Sequence, residues 1–524
     1  MTRKTGSGAT QTPRSDSARS TPIAPRHPDH SEAGEALGVF LGVDIGTSSS
    51  KGVLVGGDGA ILSTAAREHR VDRPAPGHVE MDANLWWDEF CSIAAELTAA
   101  CAAPVAAVGV SGMGPCVILA DDDGEPVRPA ILYGVDSRAT EQVNRLTLEL
   151  GADAILERGG SALSSQAAGP KLSWIAESEP QNWERARSLL MPASWLAFRL
   201  TGEVVLDHHS ASQSTPLYDI RTQEWYRPWA DHVAPGLELP ELRWPGDIAG
   251  ATREAVAGIP AGTPVIVGSI DAWMEAVSVG ATNPGDLMLM YGTTMFLIAT
   301  VDRPVTSPTM WGTVGAFPGT RCLAGGLATS GAITTWLSDL TGGDHATLLA
   351  EAERSGPGAR GVLMLPYFAG ERTPVQDPDA RGVIAGLSLE HTRGDLYRAA
   401  LEGTALGVRH NIETMQGVGA SVERVVAVGG GTRGRLWPRI VSDVTGLAQV
   451  MPSITIGAAF GAALLAARAV GVDADPSDWN PSSDVIEPDP TVRRAYDTRY
   501  ALYRDLYPAT SGIVHALAER QRTT

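Results

Sequence analysis

The segment Leu41 to Val53, LGVDIGTSSSKGV, constrains this chain more than any other, because a second segment far downstream repeats its design. Apolar and small residues lead into Asp44, Gly46 permits a tight turn, and the hydroxyls from Thr47 to Ser50 end at Lys51. That pattern predicts strand, turn and strand, with Asp58-Gly59 as the next hairpin turn. Further on, Leu287 to Tyr291 reads as a strand, Gly292-Thr293-Thr294 as a second Gly-Thr turn, and Met295 to Ala299 as another apolar run. A chain carrying this unit twice is expected to contain duplicated α/β domains, each offering its turn to a shared cleft. The backbone N–H groups, hydroxyls and Lys51 ammonium of such a turn suit a phosphate, with Asp44 holding an accompanying metal through water. Gly, Ser and Asp also make ordinary hairpins, so the turn alone leaves both readings open. The Walker pattern GxxxxGK[ST] is absent, which excludes a strand-to-helix P-loop.

A chain of 524 residues exceeds what one hydrophobic core usually supports, so two or three domains are expected. With 43% hydrophobic and 19% charged residues most of it is globular, and a net charge of −19 disfavours nucleic-acid or anionic-membrane partners. The four cysteines lack metal-site spacing and read as small core residues of a reducing compartment. Residues 1–36, rich in Ser, Thr, Pro, Arg and His and without an apolar core, predict a flexible tail and not a secretory leader. No apolar run is long enough to span a membrane, so a cytoplasmic protein is expected.

Four further segments carry chemistry. Val105 to Val110 predicts a buried strand opening into Ser111-Gly112-Met113-Gly114-Pro115, the kind of strand-end loop where ligands sit in α/β sheets. After the strand Ala130 to Tyr133, Asp136 and Arg138 suit either hydroxyl binding or a local salt bridge. The strand Pro264 to Ser269 meets a helix at Asp271, where the helix dipole favours a carboxylate; an N-cap and a general base at a cleft mouth both fit. Val425 to Val428 predicts a strand opening into Gly429-Gly430-Gly431-Thr432-Arg433 before a helix, which suits close approach of a flat ligand or phosphate, or tight helix–strand packing. Ala458 to Ala467 predicts a small-residue helix packed closely against that glycine loop's helix, and Tyr496, Tyr500, Tyr503 and Tyr507 recur at helical spacing as a docking face.

Taken in order, these pieces resemble the FGGY carbohydrate kinase family from about residue 38 to about residue 510. The resemblance rests on DIGTSSSK (Asp44 to Lys51), GSIDA (Gly268 to Ala272), YGTT (Tyr291 to Thr294) and GGGTR (Gly429 to Arg433). Its most specific part joins Gly382-Val-Ile-Ala-Gly386-Leu387 to Asp395-Leu396-Tyr-Arg-Ala399-Ala400-Leu401-Glu402, with a weaker trace in Lys171-Leu172-Ser173-Trp174-Ile175. It implies an α/β fold with two ribonuclease-H-like (actin-like ATPase) domains flanking a cleft for Mg-ATP and a sugar or polyol. The implied segments are the tail 1–36, an N-terminal domain 37–284, a nucleotide domain 285–475 and a C-terminal docking segment 476–524, and a homodimer is compatible with them.

By that likeness Asp271 is the base that takes the acceptor's proton. Gly46, Thr47, Ser48 and Lys51 face the transferring phosphate, and Gly292, Thr293 and Thr294 hold phosphates from the other domain. Gly331, Thr335, Gly430, Gly431 and Gly434 line the nucleotide, and Asp44 and Asp271 lie near Mg2+. The acceptor is assigned to Met113, Gly114, Pro115, Tyr133, Asp136, Asp271 and Trp273.

The chain departs from its relatives around the acceptor. Xylulose kinases of the family usually carry Met-His after the Ser-Gly of the substrate loop, whereas this chain has Gly114-Pro115, and Tyr133 stands where Trp is common. The Arg-Glu pair of glycerol kinases is absent, which disfavours glycerol. Gly434, Arg439 and Ile456 replace the usual Ser, Gln and Glu near the nucleotide. The expectation is an ATP-dependent ketose or polyol kinase, with a pentulose such as D-xylulose foremost. A sugar-binding regulatory protein on the same fold and another actin-like ATPase stay open as alternatives.

Overall fold

The computed structural model describes residues 38–523, so the tail expected over 1–36 lies outside the described residues. Two seven-stranded sheets organise the chain, each with an antiparallel hairpin as its first two strands and a later, parallel strand beside the first, and five strands of each share one arrangement. In the first sheet the strands run in space Ile61–Glu68, Ser49–Val55, Val39–Ile45, Val105–Gly112, Pro264–Ile266. In the second they run Arg321–Leu327, Met295–Val301, Asp286–Tyr291, Arg424–Val428, Gln449–Pro452. Third, second, first, fourth, fifth is the order in both, so the repeated Gly-Thr hairpin marks a duplicated fold. Its central strands are apolar on both faces, as strands covered on two sides must be.

The helix Ala458–Ala469 departs from expectation. It lies on the first sheet, across Val39–Ile45 and Val105–Gly112 and against the helix Asp271–Ser278. Close approach is the reason: a Cβ on Gly42 would stand 2.0 Å from the Ala459 carbonyl oxygen, and one on Gly109 2.0 Å from that of Ala462. Small residues on both surfaces bring the backbones together, which propensity alone does not reveal. This helix and the inner faces of the two sheets share one apolar core containing Phe40, Trp273, Met288, Val428 and Phe460.

The segment that carries the family likeness most specifically does structural work. Asp395 closes a capping box with Thr392 at the start of the helix Arg393–Gly417. Glu402, fully buried, accepts hydrogen bonds from Arg398, Tyr496 and the Gly358 N–H. The tyrosines of the C-terminal helix Arg493–Thr523 dock it as expected, Tyr496 at Glu402 and Tyr503 at Tyr367.

Candidate active site

Three strand ends converge on one point. Asp44 is in register with Ser111 on the neighbouring parallel strand, and Ser111 is in register with Ser269 beyond it. One residue past Ile270 the chain turns into the helix Asp271–Ser278, so Asp271 opens at the ends of these strands. It is the first helical residue, with Ile270 at the N-cap position, and among the described residues its carboxylate accepts only its neighbour's N–H, Ala272, at 2.7 Å. The other oxygen is left for chemistry, so the reading of Asp271 as an N-cap is not borne out.

Asp44 accepts the Ser111 hydroxyl at 2.9 Å. One helical turn after Asp271, Glu275 joins them at the cleft floor, where its carboxylate meets the Ala458 N–H. Gly457 makes room for it: its φ is +94°, and a Cβ there would fall 2.2 Å from Glu275 Oε2. Burial pushes all three acids up, joined by repulsion from neighbouring acids at Asp271 and Glu275. Asp44 rises to about 6, burial outweighing the Ser111 hydrogen bond and the Lys51 charge. Asp271 rises to about 7 through burial and then Asp44. Glu275 rises to about 8 through burial, then Asp44 and Asp271. Near neutral pH the cluster therefore holds protons that carboxyls of ordinary acidity would have lost.

Hard oxygen donors short of counter-charge fit a divalent cation. Among the described residues no three such side chains are close enough to ligate one ion together. An ion at Asp44 and Asp271 would keep several waters, which suits Mg2+.

Opposite the acids stands the second domain. Its Gly292–Thr294 turn is laced to the start of the helix Gly331–Thr341: the Gly331 N–H donates to the Gly292 carbonyl, and those of Ser330 and Ala332 donate to the Thr293 carbonyl. A Cβ on Gly331 would come 2.7 Å from the Gly292 oxygen, so glycine is required there. In the glycine loop, Gly429 (φ +92°) and Gly431 pack on Tyr291 and Trp437, while Gly430 faces open space and Gly434 meets only Leu349. The tight-packing reading thus holds at Gly429 and Gly431, while Gly430 and Gly434 leave room beside the backbone. Thr335 is exposed one turn beyond Gly331.

The two halves enclose a cavity of about 360 Å³. From the first domain it is lined by Asp44, Met113, Gly114, Tyr133, Gln166, His209, Gln213, Asp271 and Glu275, and from the second by Thr294, Phe296, Trp311, Thr313 and Arg372. Thr47 reaches it through a 2.9 Å hydrogen bond shared with the Tyr133 hydroxyl, whereas Ser48, Lys51 and Thr293 are exposed on their strand and turns. Gly46 closes the first turn by donating to the Ser49 carbonyl.

Three expected acceptor residues are elsewhere. Asp136 is fully buried, its oxygens taken by the Val79 N–H and by the Arg138 guanidinium and N–H, so the salt-bridge reading holds. Trp273 is also fully buried and stacks on His209 at 5.5 Å; two residues after Asp271, it points to the opposite side of the helix, into the core. Pro115 is buried behind Gly114. Glu275, Arg372, Gln166, His209, Gln213 and Trp311 were not anticipated. Only Glu275 had a readable signal, its i,i+4 spacing from Asp271.

Comparison with known proteins follows the same outline. Residues 39–278 match the sequence model of the FGGY family of carbohydrate kinases, N-terminal domain, and residues 287–470 match that of its C-terminal domain. The xylulose kinase of Escherichia coli (strain K12) is 28% identical over 486 residues, covering 90% of this chain and 98% of that protein. The glycerol kinase of Nocardia farcinica is 33% identical over 472 residues, covering 84% and 91%. Among solved structures, a xylulose kinase from Rhodospirillum rubrum superposes with a TM-score of 0.85 at 32% identity, over 91% of this chain and all of that one.

Proposed function

The chain belongs to the FGGY family of carbohydrate kinases, ATP-dependent phosphotransferases with an alcohol group as acceptor, and we propose that its acceptor is a ketose or polyol, D-xylulose first among them. The observation that carries this reading is Asp271, poised to gain a proton at the floor of a cleft walled by two Gly-Thr turns from duplicated domains. Asp271 takes the proton of the attacking hydroxyl as that oxygen bonds to the γ-phosphorus of ATP and ADP leaves. Mg2+ supplies charge neutralisation to the phosphates when bound. Asp44 and Asp271 would hold that ion, partly through water. Thr47, Ser48 and Lys51 steady the phosphoryl group from one side and Thr293 and Thr294 from the other, while Gly331, Thr335, Gly430 and Gly434 flank the nucleotide.

The acceptor wall supports a sugar. Gln166, Gln213 and Thr313 offer amides and a hydroxyl to polyol oxygens, and Phe296 and Trp311 offer flat faces to C–H groups. No charged pair stands in the Met113–Gly114 loop, which favours a ketose over glycerol despite the glycerol kinase relative. The enzyme acts in the cytoplasm in this reading. A coupled ADP-release screen over ketoses, aldoses and polyols tests it: acceptor-dependent turnover with a pentulose best is expected. Acceptor-independent ATP hydrolysis, or no turnover with any acceptor, would overturn it.

A further inference from the structure

Arg372 is the one Arg or Lys among the residues lining the cleft, and among the described residues its guanidinium has neither a hydrogen bond nor an ion pair. The loop that presents it is held firmly. Glu371, buried just before it, accepts the N–H of Arg372 at 2.7 Å and that of Ala328 at 2.9 Å. Thr373, buried just after it, donates to Asn411 Oδ1 at 2.6 Å and accepts the Gly326 N–H at 2.6 Å. A backbone pinned on both sides that leaves a charged tip without a partner is arranged for a guest.

The cleft acids are not that partner. Tyr133 and Glu371 feel the Arg372 charge, and among the described residues none of Asp44, Asp271 and Glu275 is hydrogen-bonded or ion-paired to it. Tyr133 belongs to the first domain and is bonded to Thr47 at the tip of the first Gly-Thr turn, so Arg372 faces that turn across the cleft. A planar guanidinium suits two oxygens of one anion.

We propose that Arg372 is the oxyanion-binding residue of the cleft, delivered by the second domain against Tyr133 and Thr47. The inference rests on the kinase reading and extends it. The oxyanion has two sources, the phosphoryl group in transfer or a carboxylate on an acidic acceptor, and one experiment separates them.

Arg372→Met and Arg372→Lys are compared with the wild type, with matched melting temperatures as the check on folding. With a neutral ketopentose, a phosphoryl partner predicts that kcat of Arg372→Met falls about 100-fold or more while the KM for ATP holds. ADP with tetrafluoroaluminate then stabilises the wild type more than the variant. A carboxylate partner predicts instead that the KM for a five- or six-carbon aldonate rises on the order of 10- to 100-fold, with neutral acceptors unaffected. In either case Arg372→Lys, which keeps the charge and loses the fork, is intermediate. Kinetics within twofold of the wild type for both kinds of acceptor, with equal stabilisation by ADP–tetrafluoroaluminate and by aldonate, would overturn the proposal. A wild type that turns over no acceptor defeats the kinase reading separately, and the two stabilisation measurements still decide the role of Arg372.

Discussion

The two Gly-Thr hairpins hold the same place in sheets of the same strand order, yet their surroundings are opposite in character. Two residues before Gly46 stands Asp44; two residues before Gly292 stands Met290, and both side chains line the cleft. The fourth strands diverge likewise. One opens into Met113-Gly114 beside the acids, the other into the glycine loop. In the proposed reading a duplicated scaffold is divided between tasks, with acids for metal and proton on one wall and, beside Arg372, hydroxyl donors and close-packed glycines for phosphates and base on the other. Preorganised charge on one side and close backbone approach on the other is what phosphoryl transfer requires of a protein.

That division can be broken by exchanging its parts. Asp44→Met writes the second turn's residue into the first, and is expected to lower kcat/KM about 10²- to 10³-fold, because it removes a metal-facing carboxylate; steady-state kinetics across Mg2+ concentrations would show it. Activity near that of the wild type would mean that the two turns do not differ in role. Gly331→Val strikes the other wall. A side chain 2.7 Å from the Gly292 oxygen must push the turn aside, so the KM for ATP should rise roughly tenfold or more while acceptor binding, measured by calorimetry, is preserved.

A smaller effect follows from the acids themselves. The folded-state value of Glu275 is raised above its unfolded one, so the stability it contributes is full below the unfolded value and is lost as pH rises through about 8. Glu275→Gln removes that proton linkage. The variant, free of nucleotide and metal, should melt several degrees above the wild type at pH 9 and close to it at pH 5. A difference that is the same at both pH values would mean that Glu275 is not strained by its neighbours.

The sequence makes these walls unequally legible. Hairpins, the Asp271 junction and the glycine loop are local designs, in which turn chemistry and apolar runs lie side by side in the chain, so strand ends and turns emerge where expected. Direction is another matter. Asp136 looks like a binding residue until Val79, nearly sixty positions earlier, and Arg138 close its oxygens away. Trp273 looks like a neighbour of Asp271 until helical rotation turns it into the core. The helix Ala458–Ala469 carries nothing in its own residues to say that it packs on a sheet four hundred positions upstream; Gly42 and Gly109 decide that. Arg372 is set by a loop pinned to Ala328, Gly326 and Asn411, a long-range arrangement with no local signature.

In the proposed reading the acidic wall performs the transfer and the glycine wall holds the nucleotide. Asp271→Asn tests it most directly, with Mg-ATP affinity measured by calorimetry beside turnover of D-xylulose. The account predicts affinity within a few-fold of the wild type and kcat lower by about 10²- to 10⁴-fold. Retained phosphorylation, or a loss of nucleotide binding that accounts for the lost turnover, would contradict it.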